Sequence, residues 1–243
     1  MILLIDIGNT ASKYCFCRNE RLGSIERCAF SDLKPELEKK ISEAEERIEV
    51  LTVSSVRKLD RELADFFHRI AVKTIFLDSA TKMPVQLDYS TLNTLGADRI
   101  AAAVGAWELL RNDNCIVFDL GTAITIDIVT EEGIFKGGNI SLGLRTRFKA
   151  IHTFTDKLPL LDVPDARDFT LPGKSTAEAI ENGVVSSVVY EIEGYLSKYP
   201  DYKVVFTGGD AFYFASMMKK TIFAIRNLVM IGLLRIALYN AYE

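Results

Sequence analysis

Two aspartates, Asp6 and Asp119, stand in a pattern that occurs twice, as IDIGNTASKY over residues 5–14 and as FDLGTAITID over residues 118–127. In both copies an apolar run ends in Asp. One apolar residue, a glycine and two small residues follow before another strand-like run begins. Gly8 and Gly121 suit a tight turn that lets the backbone approach an anion, and Asn9, Thr10, Thr122 and Ala123 leave that turn uncrowded. A carboxylate beside a phosphate is repelled unless a cation lies with it, so Asp6 and Asp119 point to a nucleotide bound with metal. Plain turns also use Asp and Gly. The recurrence with matching flanks carries the inference.

Three further segments bear on chemistry. In GADR at residues 96–99, Asp98 falls in the first turn of an apolar helical pattern, where the helix dipole favours the ionised carboxylate and lowers its pKa. An acid that only complements the dipole and one that accepts a substrate hydroxyl proton fit the spacing equally well. Arg99 is read either as a clamp for a substrate carboxylate or as a solvated charge on the helix. TGGDA at residues 207–211 joins a strand to a helix and lets a base or ribose approach, or is an ordinary turn. GGNISLGL at residues 137–144 leads into another helix, where it either binds an anion or allows close packing. Arg145, Arg147 and Lys149 beside it read as solvated charges. His68 and His152 have no patterned nucleophile near them, so Ser/His/Asp hydrolysis has little support.

The elements that position these residues alternate. Strands are expected at residues 2–7, 12–18, 24–30, 50–53 and 74–77, with helices at 33–47, capped by Ser31 or Asp32, at 57–70 and at 97–110. A second series follows, with strands at 116–119, 124–129, 134–137, 204–206 and 222–224. Its helices are at 144–153, 176–198, 211–218 and 228–239. Ser175 and Glu178 have capping-box spacing at the start of the long one. The repeated order predicts two mixed α/β domains, residues 1–114 and 115–243, facing each other across a cleft that holds the functional site. Residues 156–173, with three prolines, are the expected irregular excursion.

Composition narrows the partners. The 243 residues are 49% apolar, enough for a substantial core in two domains. A net charge of −4 and a pI near 5.4 argue against a nucleic-acid surface. Cys15, Cys17, Cys28 and Cys115 lack paired CxxC spacing, so no structural zinc site is expected, and reduced thiols in a cytoplasmic protein are the simplest reading. No signal peptide is expected. The apolar run at residues 228–242 is shorter than the roughly 20 residues that span a bilayer, so it is read as a core or interface helix and no membrane is expected as a partner.

In chain order, DIGNT, LGADR, FDLGTAITID, GGNISLGL, STAEAIENG and TGGDA resemble the type III pantothenate kinases, of the acetate and sugar kinase/Hsp70/actin superfamily. The resemblance runs from Asp6 to Asp210. It implies two duplicated ribonuclease-H-like (actin-like ATPase) domains flanking a nucleotide cleft, and ATP-dependent phosphorylation of pantothenate, the first step of coenzyme A synthesis. It further implies that Asp6, Ile7, Gly8, Asn9, Thr10, Ala11, Ser12 and Lys13 form the first phosphate segment, and that Thr122, Gly208 and Gly209 meet ATP. Asp98 is the implied proton acceptor. Gly96, Ala97, Asp98 and Arg99 are implied pantothenate contacts, joined by Tyr89 and Thr176. Magnesium is expected on the Asp6 side and a monovalent cation, potassium or ammonium, at Asp119. A homodimer is implied, with Thr176 and Tyr89 able to come from different chains. Leu92 and Leu142 stand where many relatives carry proline, which loosens those loops without removing a donor or carboxylate. Two alternatives stand beside this reading: a kinase for another small hydroxylated metabolite, and a nucleotide-binding regulatory (transcriptional accessory) protein of the same fold.

Overall fold

Apolar residues at alternate positions build the first sheet. Its strands are β1 (Ile2–Ile7), β2 (Ser12–Arg18), β3 (Arg21–Cys28), β4 (Ile48–Ser55) and β5 (Ala71–Phe76), in the spatial order β3-β2-β1-β4-β5. The computed structural model describes residues 1–44, 46–166 and 172–241. β1 pairs antiparallel with β2 and parallel with β4. Leu3, Ile5, Ile7 and Tyr14 turn one face toward helices α1 (Leu33–Ser42) and α2 (Arg61–Ile70), where they meet Leu33, Leu37, Phe66 and Phe67. β2 and β3 are joined by Asn19 and Glu20, both at positive φ (50° and 58°), the backbone that matches the twist of a two-residue hairpin.

A two-residue strand β6 (Gln86–Leu87) and helix α3 (Ala97–Leu109) follow. The second sheet adds β7 (Cys115–Leu120), β8 (Ala123–Val129), β9 (Ile134–Leu142), β10 (Lys203–Thr207) and β11 (Phe223–Ala224), in the order β11-β10-β7-β8-β9-β6. Its helices are α4 (Leu144–Thr153), α5 (Thr176–Lys198) and α6 (Ala211–Ala215), and helix α7 (Leu228–Ala241) closes the chain. β7 pairs antiparallel with β8 and parallel with β10, so β9-β8-β7-β10-β11 repeats the plan of β3-β2-β1-β4-β5. Phe118, Phe206, Phe148, Val185 and Ile192 lie at the centre of its core. The pattern duplicated in sequence is thus a duplicated sheet.

The chain divides into two compact units. Unit 1 comprises Met1–Arg111, Thr130–Gly137 and Asn227–Glu243, and unit 2 comprises Asn112–Val129 and Gly138–Arg226. Helix α7 groups with unit 1. The reason is its packing on α3. Built on Gly232, a Cβ would lie 1.8 Å from the Ala101 carbonyl oxygen, and on Gly105, 2.4 Å from that of Leu228. Small residues let the two backbones touch.

The other bounds shift for local reasons. α1 ends at Ser42 rather than residue 47, and Asp32 occupies its N-cap without a side-chain bond, a 3₁₀ turn at Phe30–Asp32 leading in instead. α2 starts late because Asp60 Oδ1 accepts from Leu63 N at 2.8 Å. β9 continues to Leu142. Residues 156–166 form no helix or strand, and 167–171 of the expected excursion lie outside the described residues. Among the described residues no helix is long and apolar enough to cross a membrane. Replacing Gly232 by valine should destabilise the protein by roughly 3 kcal/mol or more, because backbone, not a flexible side chain, stands in the way. Urea unfolding checks this, and a midpoint equal to wild type would refute the close seam.

Candidate active site

In unit 1 the register sets Asp6, at the carboxyl end of β1, between Lys13 of β2 and Ser54 of β4. Alternation points this row away from the Ile5 and Ile7 core face. Asp6 is buried, and Ser54 Oγ donates to its Oδ1 at 3.2 Å. Burial pushes its pKa up to about 6, Lys13 opposes the rise, Asp98 adds to it, and the Ser54 hydrogen bond opposes it. Asp6 therefore feels the charge of Asp98.

Asp98 sits in the first turn of α3, where its Oδ1 accepts from Arg99 N at 2.9 Å. A Cβ on Gly96 would come 2.5 Å from that oxygen, so the glycine of LGADR makes room for the carboxylate to fold back. The expectation of a lowered pKa is corrected: burial raises it, outweighing the Arg99 backbone bond and the Arg99 charge. Arg99 is not a solvated charge either. It is buried, with its guanidinium 5.6 Å from the ring centres of both Tyr89 and Phe135. Tyr89 also packs on Gly137, whose φ is +85°. Tyr89, Gly96, Ala97, Asp98 and Arg99 thus gather in one unit with Asp6.

The Gly8 turn is closed by Gly8 N donating to Ala11 O at 3.1 Å. Neither Gly8 nor Gly121 has positive φ. Gly8 leaves room instead, since a Cβ would stand 3.1 Å from Ala11 O. Asn9 and Thr10 are exposed and Lys13 half-buried. The side chains of Ile7 and Ser12 are fully buried and the Ser12 hydroxyl has no hydrogen-bond partner among the described residues, so these two offer only backbone to a ligand.

Unit 2 repeats the row with Asp119 between Thr125 and Thr207. Gly208, at φ +90°, would place a Cβ 2.5 Å from Asp119 Oδ1, so only glycine leaves that carboxylate its space. Thr122 is exposed, and its carbonyl is held by Gly143 N at 3.1 Å and Thr146 Oγ1 at 2.7 Å. Gly209 is exposed, and Asp210 N donates to Leu120 O at 3.0 Å while its carboxylate accepts from Arg145 Nη1 at 2.5 Å. Asp119, Thr122, Gly208 and Gly209 thus belong to one strand-end cluster.

Thr176 opens α5, which Ser175 caps by accepting from Glu178 N at 3.2 Å. It lines an apolar cavity of about 890 Å³ between α4 and α5, with Ile151, Ile180 and Val184. Arg147 borders the cavity and is fully engaged. It donates to Leu142 O at 2.8 Å, to Ser187 Oγ at 2.8 Å and to Glu191, which corrects its reading as a solvated charge. Sequence reasoning missed Ser54, the Phe135 side of the Arg99 stack, Asp210 and Arg147, because each becomes visible only when distant segments meet.

The type III pantothenate kinase profile matches residues 2–198. The chain belongs to that family. The curated type III pantothenate kinase of Porphyromonas gingivalis is 40% identical over 98% of this chain and 98% of its own length. That of Cytophaga hutchinsonii is 39% identical over 99% and 100%. Among solved structures, a Campylobacter jejuni protein assigned to the Baf family of transcriptional activators aligns over 100% of both chains, at TM-score 0.65 and 21% identity. The ROK hexokinase of Thermus thermophilus aligns over 98% and 97%, at TM-score 0.53 and 15% identity. These structures share the fold, that of the actin-like ATPases. Leu92 opens a 3₁₀ turn with Leu95 N donating to its carbonyl at 3.3 Å, and Leu142 ends β9; both are exposed.

The raised pKa of Asp6 makes the ligand-free fold pH-dependent. Between pH about 4 and 6 the unfolded carboxyl ionises while the folded one stays protonated, so stability falls as pH rises through that window. Asp6→Asn removes the effect. The variant should be more stable than wild type at pH 7.5, by up to roughly 3 kcal/mol, and no more stable near pH 3.5. Urea unfolding at both pH values decides, and a variant weaker than wild type at pH 7.5 would contradict the assignment.

Proposed function

We infer that this protein transfers the γ-phosphoryl group of ATP to the primary hydroxyl of pantothenate, opening coenzyme A synthesis. The observation that carries this is the unit 1 cluster. A carboxylate whose proton affinity burial has raised, Asp98, lies beside a buried cation stacked on two rings, Arg99, in a chain of the type III pantothenate kinase family. Arg99 and Tyr89 orient the carboxylate end of pantothenate. Asp98 accepts the proton from the hydroxyl as its oxygen bonds to phosphorus and ADP leaves in line. The raised pKa suits a base that must take a proton and release it again.

The Gly8–Lys13 segment, Thr122, Gly208 and Gly209 hold ATP, with Lys13 supplying positive charge. Among the described residues no three His, Cys, Asp or Glu side chains gather as a metal site. Magnesium keeps several of its waters and takes one or two carboxylates plus phosphate oxygens. Asp6 fits this role, being a buried hard oxygen ligand whose protonation a cation would reverse. Asp119 fits a monovalent cation, because Gly208 and Gly121 leave open space at its Oδ1 that a Cβ on Gly208 would fill. Bound there, the ions neutralise phosphate charge. The exposed Ile140, Leu142 and Phe154 and the apolar cavity at Thr176 support a homodimer that covers this face and brings Thr176 to the substrate. Its chemistry fits a cytoplasmic enzyme.

Turnover by Asp98→Asn should fall at least ~100-fold with ATP affinity retained. ATP consumption with and without pantothenate checks this, and a folded variant with near-normal turnover would remove Asp98 from the chemistry. In the same assay potassium or ammonium should support turnover that sodium does not, and Asp119→Asn should abolish that preference. Equal rates in all three salts would sink the Asp119 assignment.

A further inference from the structure

Arg57 lies on the Gly8 turn although 49 residues separate it from Gly8. Its Nε donates to Gly8 O at 3.2 Å, and its Nη2 donates to Asn9 O. The guanidinium carbon stands 5.1 Å from the centre of the Phe30 ring. The loop that carries it is fixed: Val56 N donates to Ile7 O at 3.0 Å, and Ser55 Oγ both accepts from Arg57 N at 3.1 Å and donates to Arg57 O at 2.8 Å. An exposed arginine is thereby held in one orientation at the mouth of the turn.

The repeat supplies a comparison. In unit 2 the matching bond runs from Asp210 N to Leu120 O, and the next residue is Ala211. There the turn carbonyl of Thr122 is satisfied by neutral donors, Gly143 N and Thr146 Oγ1. Both turns have carbonyls satisfied by outside donors. Unit 1 does it with a full positive charge. Carbonyl oxygens repel a phosphate, and a guanidinium that covers two of them reverses the sign of the field there. Two of the guanidinium nitrogens are engaged in these bonds, which leaves the rest of a planar fork for phosphate oxygens.

We propose that Arg57 binds the phosphate chain of a nucleoside triphosphate at unit 1, holding the Gly8 and Asn9 carbonyls with one edge and meeting phosphate oxygens with the rest. This rests on the reading of residues 6–13 as a phosphate segment. A residue that only docks the β4–α2 loop would stabilise the fold and leave ligand preference alone.

The test measures binding of magnesium AMPPNP and of adenosine by calorimetry to wild type, Arg57→Ala and Arg57→Lys, with thermal unfolding of each. Arg57→Ala should bind AMPPNP at least ~10-fold more weakly and adenosine within about 2-fold of wild type. Arg57→Lys, which keeps the charge and loses the fork, should recover part of the AMPPNP affinity. It also serves if the alanine variant folds poorly. AMPPNP affinity within about 2-fold of wild type in both variants, or equal losses for AMPPNP and adenosine, would overturn the proposal. Folded wild type that does not bind AMPPNP would instead overturn the phosphate-segment reading, and this inference with it.

Discussion

A carboxylate at the end of a central strand, taken out of water, sets the terms for unit 1. Asp6 is flanked across the sheet by Lys13 and Ser54, and it feels the charge of Asp98. Burial without a full counter-charge leaves Asp6 partly protonated near neutral pH, an arrangement that folding alone disfavours. A bound cation would relieve it. The ligand-free fold thus carries an electrostatic cost that the proposed metal–nucleotide complex would offset.

Duplication supplies the frame and divergence the chemistry. Both sheets bring an aspartate to the same strand end with a short turn after it, because the strand orders match around Asp6 and Asp119. The neighbours then differ. Asp6 has a lysine and a serine beside it, whereas Asp119 has two threonines and the open space at Gly208. A charged set suits a strongly hydrated divalent ion and its phosphates. A neutral oxygen set suits a larger monovalent ion. Asp98, the proposed proton acceptor, belongs to neither copy of the repeat and lies on α3, whose small residues let α7 pack backbone to backbone.

Much of this is legible in the sequence where a local pattern decides the outcome. The bounds of β1, β2, α4 and α5 follow from alternation, helical period and the Ser175 cap. The charged stretch expected as a helix over residues 33–47 forms one only to Ser42, and β6 is too short to show any period. The part Gly8 plays and the pKa of Asp98 are hidden for a different reason. The role of Gly8 depends on the distance to Ala11 O, and the shift of Asp98 on how much water its surroundings admit. Arg99 reads equally as a carboxylate clamp or a surface charge until Tyr89 and Phe135 close over it, and Arg57 carries no signal until β4 lies beside β1. Pairings across long stretches of chain are what one sequence hides.

The account stands on the identity of the phosphate acceptor, and the product reports that directly. Purified protein incubated with ATP, pantothenate, magnesium and potassium should yield one new phosphate monoester, seen by phosphorus NMR as coupled to the two protons of a primary carbon, with one ADP formed per ester. ATP hydrolysis to free phosphate with pantothenate unchanged, or an ester on the secondary hydroxyl, would contradict it.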